Sequence, residues 1–134
     1  SDQTVCFTDL MATFAEMVGK KLPATAGPDS FSLLPVLEGR QAADKPVRGP
    51  IVMQSGSSGA MVIRSGDWKL IDQPGSGGFS ESPKLQAGDP PGQLYNLRED
   101  PAEQNNLYRK EPERVAELTR LMKQLVNAPA SRSH

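Results

Sequence analysis

The residues of this chain that could carry chemistry are scattered along it. Cys6 is the lone cysteine, so it can form no disulfide within the chain, and its setting Val5-Cys6-Phe7 is apolar with no adjacent cation. A thiol there is expected to be a small buried apolar side chain rather than a reactive thiolate. The lone histidine, His134, lies far from it in sequence, so there is no Cys/His cluster to hold zinc. Glu99, Asp100 and Glu103 are close enough to serve as a general acid and base. The segment Asp100-Pro101-Ala102-Glu103 has a simpler explanation. A capping side chain, a proline at the first helical position and a carboxylate at the third together start a helical turn. Two further candidates could meet an anion or a sugar: the hydroxyl-rich loop Ser55-Gly56-Ser57-Ser58-Gly59, and the cations Arg64 and Lys69 on strand-like runs. The loop either lines a cleft or is a plain hairpin connection, and cations on the outer face of a strand are usually solvated.

These residues must be held by the elements around them. Ala60-Met61-Val62-Ile63 and Trp68-Lys69-Leu70-Ile71 are apolar runs joined by Arg64-Ser65-Gly66-Asp67, which predicts a hairpin over 60–71. Its Trp68, the one tryptophan, is the expected centre of the core, with Met61, Val62 and Leu70 packing beside it. Ile51-Val52-Met53 predicts a strand before the hairpin, and the alternating segment 93–97 predicts one after it. Helices are expected over 8–18, capped by Thr8 or Asp9 and stopped at Gly19, over 32–38, and over 112–127. In the last helix Val115, Leu118, Leu121, Met122, Leu125 and Val126 recur at threes and fours, so Met122 is core filler. The first helix carries a one-sided stripe, Leu10, Phe14 and Met17, that something must cover. Between them, loop 73–92 holds five Gly, four Pro and three Ser and is expected to be an irregular surface excursion or a loop ordered by a partner.

The fold class is therefore α+β. A small antiparallel sheet of three to four strands packs against a long C-terminal helix, with a further helix at the N-terminus. At 134 residues, with 37% hydrophobic and 5% aromatic residues, the core should be small and the loops long. Fifteen basic against 16 acidic residues give a net charge of −1, which favours neither nucleic acid nor an anionic membrane surface. No run approaches the roughly 18 apolar residues of a membrane span.

Four stretches, in order, resemble the C-terminal region of the type I (arylsulfatase-like) sulfatases of the alkaline phosphatase superfamily. Thr8-Asp9-Leu10-Met11-Ala12-Thr13 to Gly19 is similar to the family's Asp-Leu-x-Pro-Thr helix, with Ala12 in place of the proline. Pro28-Asp29-Ser30-Phe31-Ser32-Leu33-Leu34-Pro35-Val36-Leu37-Glu38-Gly39 resembles Pro-Asp-Gly-x-Ser-Leu-Leu-Pro-Leu-Leu-x-Gly, with Ser30 in place of a glycine. Ala60 to Ile71 resembles the Ala-Ile-Arg-x-Gly-x-Trp-Lys-Leu-Ile hairpin. Leu94-Tyr95-Asn96-Leu97 to Leu107 resembles Leu-Tyr-Asp-Leu-x-x-Asp-Pro-x-Glu-x-x-Asn-Leu.

The resemblance implies that residues 1–49 are the end of a sulfatase catalytic domain and 50–134 its C-terminal subdomain. It implies a parent enzyme that hydrolyses sulfate esters, a sulfated carbohydrate being one candidate substrate, and that is periplasmic or secreted. Such enzymes use a formylglycine made from the Cys or Ser of Cys/Ser-x-Pro-x-Arg, beside a calcium ion. Cys6 is followed by Phe7-Thr8-Asp9-Leu10, and Ser82-Pro83-Lys84 has the wrong spacing, so neither matches. A calcium site needs about six to eight oxygens converging on one point, and no cluster here resembles the family's ligand pairs. This chain alone is therefore expected to be inactive, with neither cofactor of its own, to pack on an upstream catalytic domain, and to self-associate in its absence. Where relatives have His-Ser after the strand, this chain has Gln54-Ser55, so Gln54, Ser55 and Ser57 are the expected substrate-proximal residues. Two alternatives stay open: a stand-alone binding module, and the tail of a related phosphate ester hydrolase.

Overall fold

The computed structural model describes residues 1–23, 25–75, 84 and 86–132. They form two units, Ser1–Gly49 with Ala128–His134, and Pro50–Asn127. Residues 76–83 and 85 of the expected irregular loop 73–92, Ser82-Pro83 among them, and His134 lie outside the described residues.

The second unit is a four-stranded antiparallel meander in sequence order, β1 (Ile51–Gln54), β2 (Met61–Ser65), β3 (Trp68–Ile71) and β4 (Gln93–Asn96), followed by helix α3 (Pro112–Val126). The β2–β3 connection pairs Ser65 with Trp68 across a two-residue loop. Gly66 there takes φ +56°, the positive value that a tight primed turn needs at its first position. Strand alternation sends Ile63, Leu70 and Leu94 to one face, where they meet Leu118 and Met122 of α3. Ile63, Leu70 and Leu94 are the large apolar side chains with essentially no exposure, and each stabilises the unit by about 1.5–3 kcal/mol relative to an exposed side chain. The other face carries Ala60, Ile71 and Tyr95, with Val62 and Leu97 beside them.

Trp68 packs against the α3 face but is only half-buried, and it is not the centre of the core. Arg114 of α3 lies over its ring at 5.2 Å, which explains the position: a rim site keeps the guanidinium in water while its planar face covers the indole. Met122 is a core residue at 6% exposure, whereas Val126 is 55% exposed and has turned off the apolar stripe. Helix α3 starts at Pro112, with Glu113 in its first turn and Lys123 in its last, each sign matching the helix dipole. Asn127 closes the helix by donating from Nδ2 to the Lys123 carbonyl at 2.8 Å.

The first unit contains a 3-10 turn (Phe7–Asp9), helix α1 (Leu10–Met17) and the short helix α2 (Leu34–Leu37). The expected cap of α1 is replaced. Neither Thr8 nor Asp9 caps it through a side chain; the amide of Ala12 donates to Oγ of Ser30, at 2.8 Å and 18 residues away. The buried residues of α1 are Ala12 and Thr13. Its apolar stripe is open instead, with Phe14 58%, Met17 51% and Leu10 37% exposed. No described helix is long and apolar enough to cross a membrane.

Candidate functional site

The sequence points to the loop between β1 and β2, and its geometry follows from local hydrogen bonding. Ser55 N donates to the Ala60 carbonyl at 2.8 Å and Gly59 N to the Ser55 carbonyl at 3.1 Å, closing a six-residue connection. Inside it, Ser55 Oγ accepts from the amides of Ser57 and Ser58, both at 3.4 Å, and lies 3.2 Å from Ser57 Oγ. The hydroxyls therefore brace the loop as well as face outward. Gln54 is exposed at the end of β1, in register with Met61. Gln54, Ser55 and Ser57 are thus brought together at one end of the sheet. They offer amide and hydroxyl groups, which can bind a sulfate oxygen or a sugar hydroxyl but cannot transfer a proton at neutral pH.

The two cations behave differently from free anion binders. Lys69 Nζ is held by both carboxylate oxygens of Glu103, at 2.6 and 2.8 Å. Arg64 donates to the Asp67 carbonyl at 3.3 Å. Glu103 does not lie in a helical turn, contrary to expectation. Its backbone has φ +56° and its amide donates to the Asp100 carbonyl at 3.1 Å, making a tight turn. The capping part of the expectation holds, since the Asp100 carboxylate accepts from the amides of Asn105 at 2.7 Å and Gln104 at 3.1 Å. Those two amides hold its pKa below the usual carboxylate range. Tyr95, opposite Lys69 on β4, donates to Gln93 Oε1 at 2.9 Å. Burial first, then the Glu103 and Asp100 charges, raise its pKa, so it is a neutral hydrogen-bond donor and not a base. These acids are occupied in building the turn.

Cys6 is half-buried rather than buried. Hydrogen bonds from Thr8, its hydroxyl first and its amide second, lower the thiol pKa. Its own amide donates to Asp9 Oδ2 at 2.8 Å. Asp9 is the centre of a buried polar network whose partners lie far apart in sequence. Its Oδ1 accepts from the Phe31 amide at 3.1 Å and from Arg48 Nη1 at 2.7 Å. Thr13 Oγ1 donates to the Asp9 carbonyl at 2.7 Å and accepts from the Leu33 amide at 2.9 Å. Arg48 also lies over the Phe31 ring at 5.1 Å. Among the described residues, no three of His, Cys, Asp and Glu are grouped to hold a metal ion.

No protein-family model matches the chain. It is 31% identical over 115 residues to the N-acetylgalactosamine-6-O-sulfatase of Bacteroides thetaiotaomicron, a match covering 85% of this chain and 22% of that protein. It is 27% identical over 133 residues to arylsulfatase K of Gallus gallus, covering 93% of this chain and 22% of the relative. A solved structure from work on the metabolism of multiple glycosaminoglycans by Bacteroides thetaiotaomicron superposes with a TM-score of 0.64 at 33% identity, over 87% of this chain and 24% of the other. The chain thus spans 22% of the length of the curated relatives it matches. It corresponds to the C-terminal region of the sulfatases.

Proposed function

We propose that this chain serves a sulfate ester hydrolase as its C-terminal subdomain, rimming the substrate cleft with the β1–β2 loop while the nucleophile and metal ligands come from an upstream segment. The observation that supports this most is the 31% identity over 85% of the chain to a sulfatase, with the sequence motifs falling on the hairpin, the Asp100 turn and the Ser30-capped helix. The substrate class is a sulfated carbohydrate, in line with the relative that acts on N-acetylgalactosamine 6-O-sulfate esters. Gln54, Ser55 and Ser57 contribute hydrogen bonds to the sugar or its sulfate. The open stripe of α1 is the surface that the upstream catalytic segment covers.

The test is to express the natural reading frame that contains this chain and assay it on sulfated sugars, aryl sulfates and phosphate mono- and diesters. Sulfate ester hydrolysis is expected, with Gln54→Ala raising KM more than it lowers kcat. Preference for a phosphate ester would move the chain to the related phosphate hydrolases. A reading frame without an upstream Cys/Ser-x-Pro-x-Arg would make it a binding module.

A further inference from the structure

The first unit holds a second feature that the β1–β2 loop does not explain. An open cavity of about 490 Å³ is lined by Glu16 of α1, by Lys20 and Lys21 just after it, by Phe31 and Ser32, and by Arg132 from the returning tail. Three cations face one carboxylate there. Neither Lys20 nor Lys21 has an ion-pair partner among the described residues, although Glu16 lines the same cavity. Arg132 Nη2 is held by the carbonyls of Ala26 at 2.8 Å and Pro23 at 3.3 Å, yet its buried Nε has no acceptor. A buried guanidinium N–H without an acceptor is costly. Ser32 Oγ accepts from the Leu34 amide at 3.2 Å, which leaves its own proton for an incoming acceptor. The Phe31 ring gives the cavity an apolar wall.

We infer that this cavity is a non-catalytic binding site for a sugar that bears a tetrahedral oxyanion, specifically a sulfate ester. Lys20, Lys21, Ser32 and Arg132 hold the oxyanion, and Phe31 lies against the sugar ring. Convergent cationic donors beside an aromatic wall suit that amphiphilic ligand, and the volume lies within the range of roughly 300–1,000 Å³ usual for small-molecule sites. In an enzyme acting on a sulfated chain, such a site would hold a part of the polymer away from the bond being cut.

The choice of sulfate rests on the proposed function, whereas the site itself does not, so binding is measured here without any hydrolysis. The 134-residue chain is titrated at low salt with N-acetylglucosamine 6-sulfate, its 6-phosphate and the neutral sugar, and followed by amide chemical shifts and calorimetry. The sulfated sugar should shift the amides of Lys20, Lys21, Phe31, Ser32 and Arg132, and the neutral sugar should not. Lys20→Ser with Lys21→Ser should weaken binding about tenfold, as expected for the loss of two exposed charge contacts, while Lys20→Arg with Lys21→Arg should retain it. Both lysines are exposed, so the fold should survive, and an unchanged far-UV spectrum checks that. Equal binding of the neutral sugar, no shift with the sulfated sugar, or unchanged affinity in the double serine variant would overturn the site. Tighter binding of the 6-phosphate would overturn the assignment to sulfate. An inactive full-length enzyme would defeat the proposed function and leave this site standing.

Discussion

Asp9 and Arg48 set the energetics of the first unit. The pair is 2.7 Å apart, with side-chain exposures of 0% and 4%. Removing one partner leaves the other charge buried without compensation, which is worse than never having had the pair. Arg48→Ala should therefore destabilise the chain by about 3–5 kcal/mol in urea unfolding, whereas Asp9→Leu combined with Arg48→Met should recover most of that loss. Equal losses in the single and double variants would show that packing, and not charge, governs the site. Little of this was legible in the sequence. Asp9 reads as a cap because Thr8-Asp9 precedes an apolar stripe, and Arg48 reads as one cation of a charged connector. Their partnership is 39 residues long-range and leaves no periodic trace. The Ser30 cap was hidden for the same reason. By contrast Asp100 was legible, because its capping partners at Gln104 and Asn105 are local.

At the scale of elements, the meander and α3 were legible because their signals are short-range: alternation within strands, a Gly at the turn and threes and fours along the helix. What was not legible is which apolar residue sits at the centre. Trp68 drew attention by size, but the unexposed positions are Ile63, Leu70 and Leu94, at three neighbouring places across the central strands. Gly92, one residue before β4, has a role that composition cannot reveal within a Gly-rich stretch. A Cβ there would lie 2.6 Å from Tyr108 Cε2 and 2.7 Å from the Ile71 carbonyl oxygen. One of these contacts is backbone of β3, which cannot simply swing aside. Gly92→Ala should thus force β4 away from β3 and cost about 1–3 kcal/mol, as overpacking does. Thermal unfolding followed by tryptophan fluorescence measures this, and an unchanged midpoint would show that Tyr108 and the strand yield freely.

For the molecule as a whole, the open stripe on α1 dictates behaviour in solution. Phe14, Met17 and Val18 are 58%, 51% and 70% exposed, with Phe7 at 91%. A cluster of large apolar side chains of this kind marks an interaction surface. Expressed by itself, the chain should self-associate and bind an apolar dye, and Phe14→Lys should return it towards a monomer in sedimentation. A strictly monomeric wild-type chain that binds no dye would remove the stripe as a docking surface. The tail adds an order of events. Ser131 donates from both N and Oγ to Asp29 Oδ1, each at 2.8 Å across 102 residues, and the Arg132 amide donates to the Pro28 carbonyl at 3.0 Å. On a translating ribosome, then, the contiguous segment Pro50–Asn127 has all its parts before the unit begun ahead of it does. The contacts of Ser131 and Arg132 to Asp29 and Pro28 are therefore the last of that unit to form, after the whole of the following unit has been made.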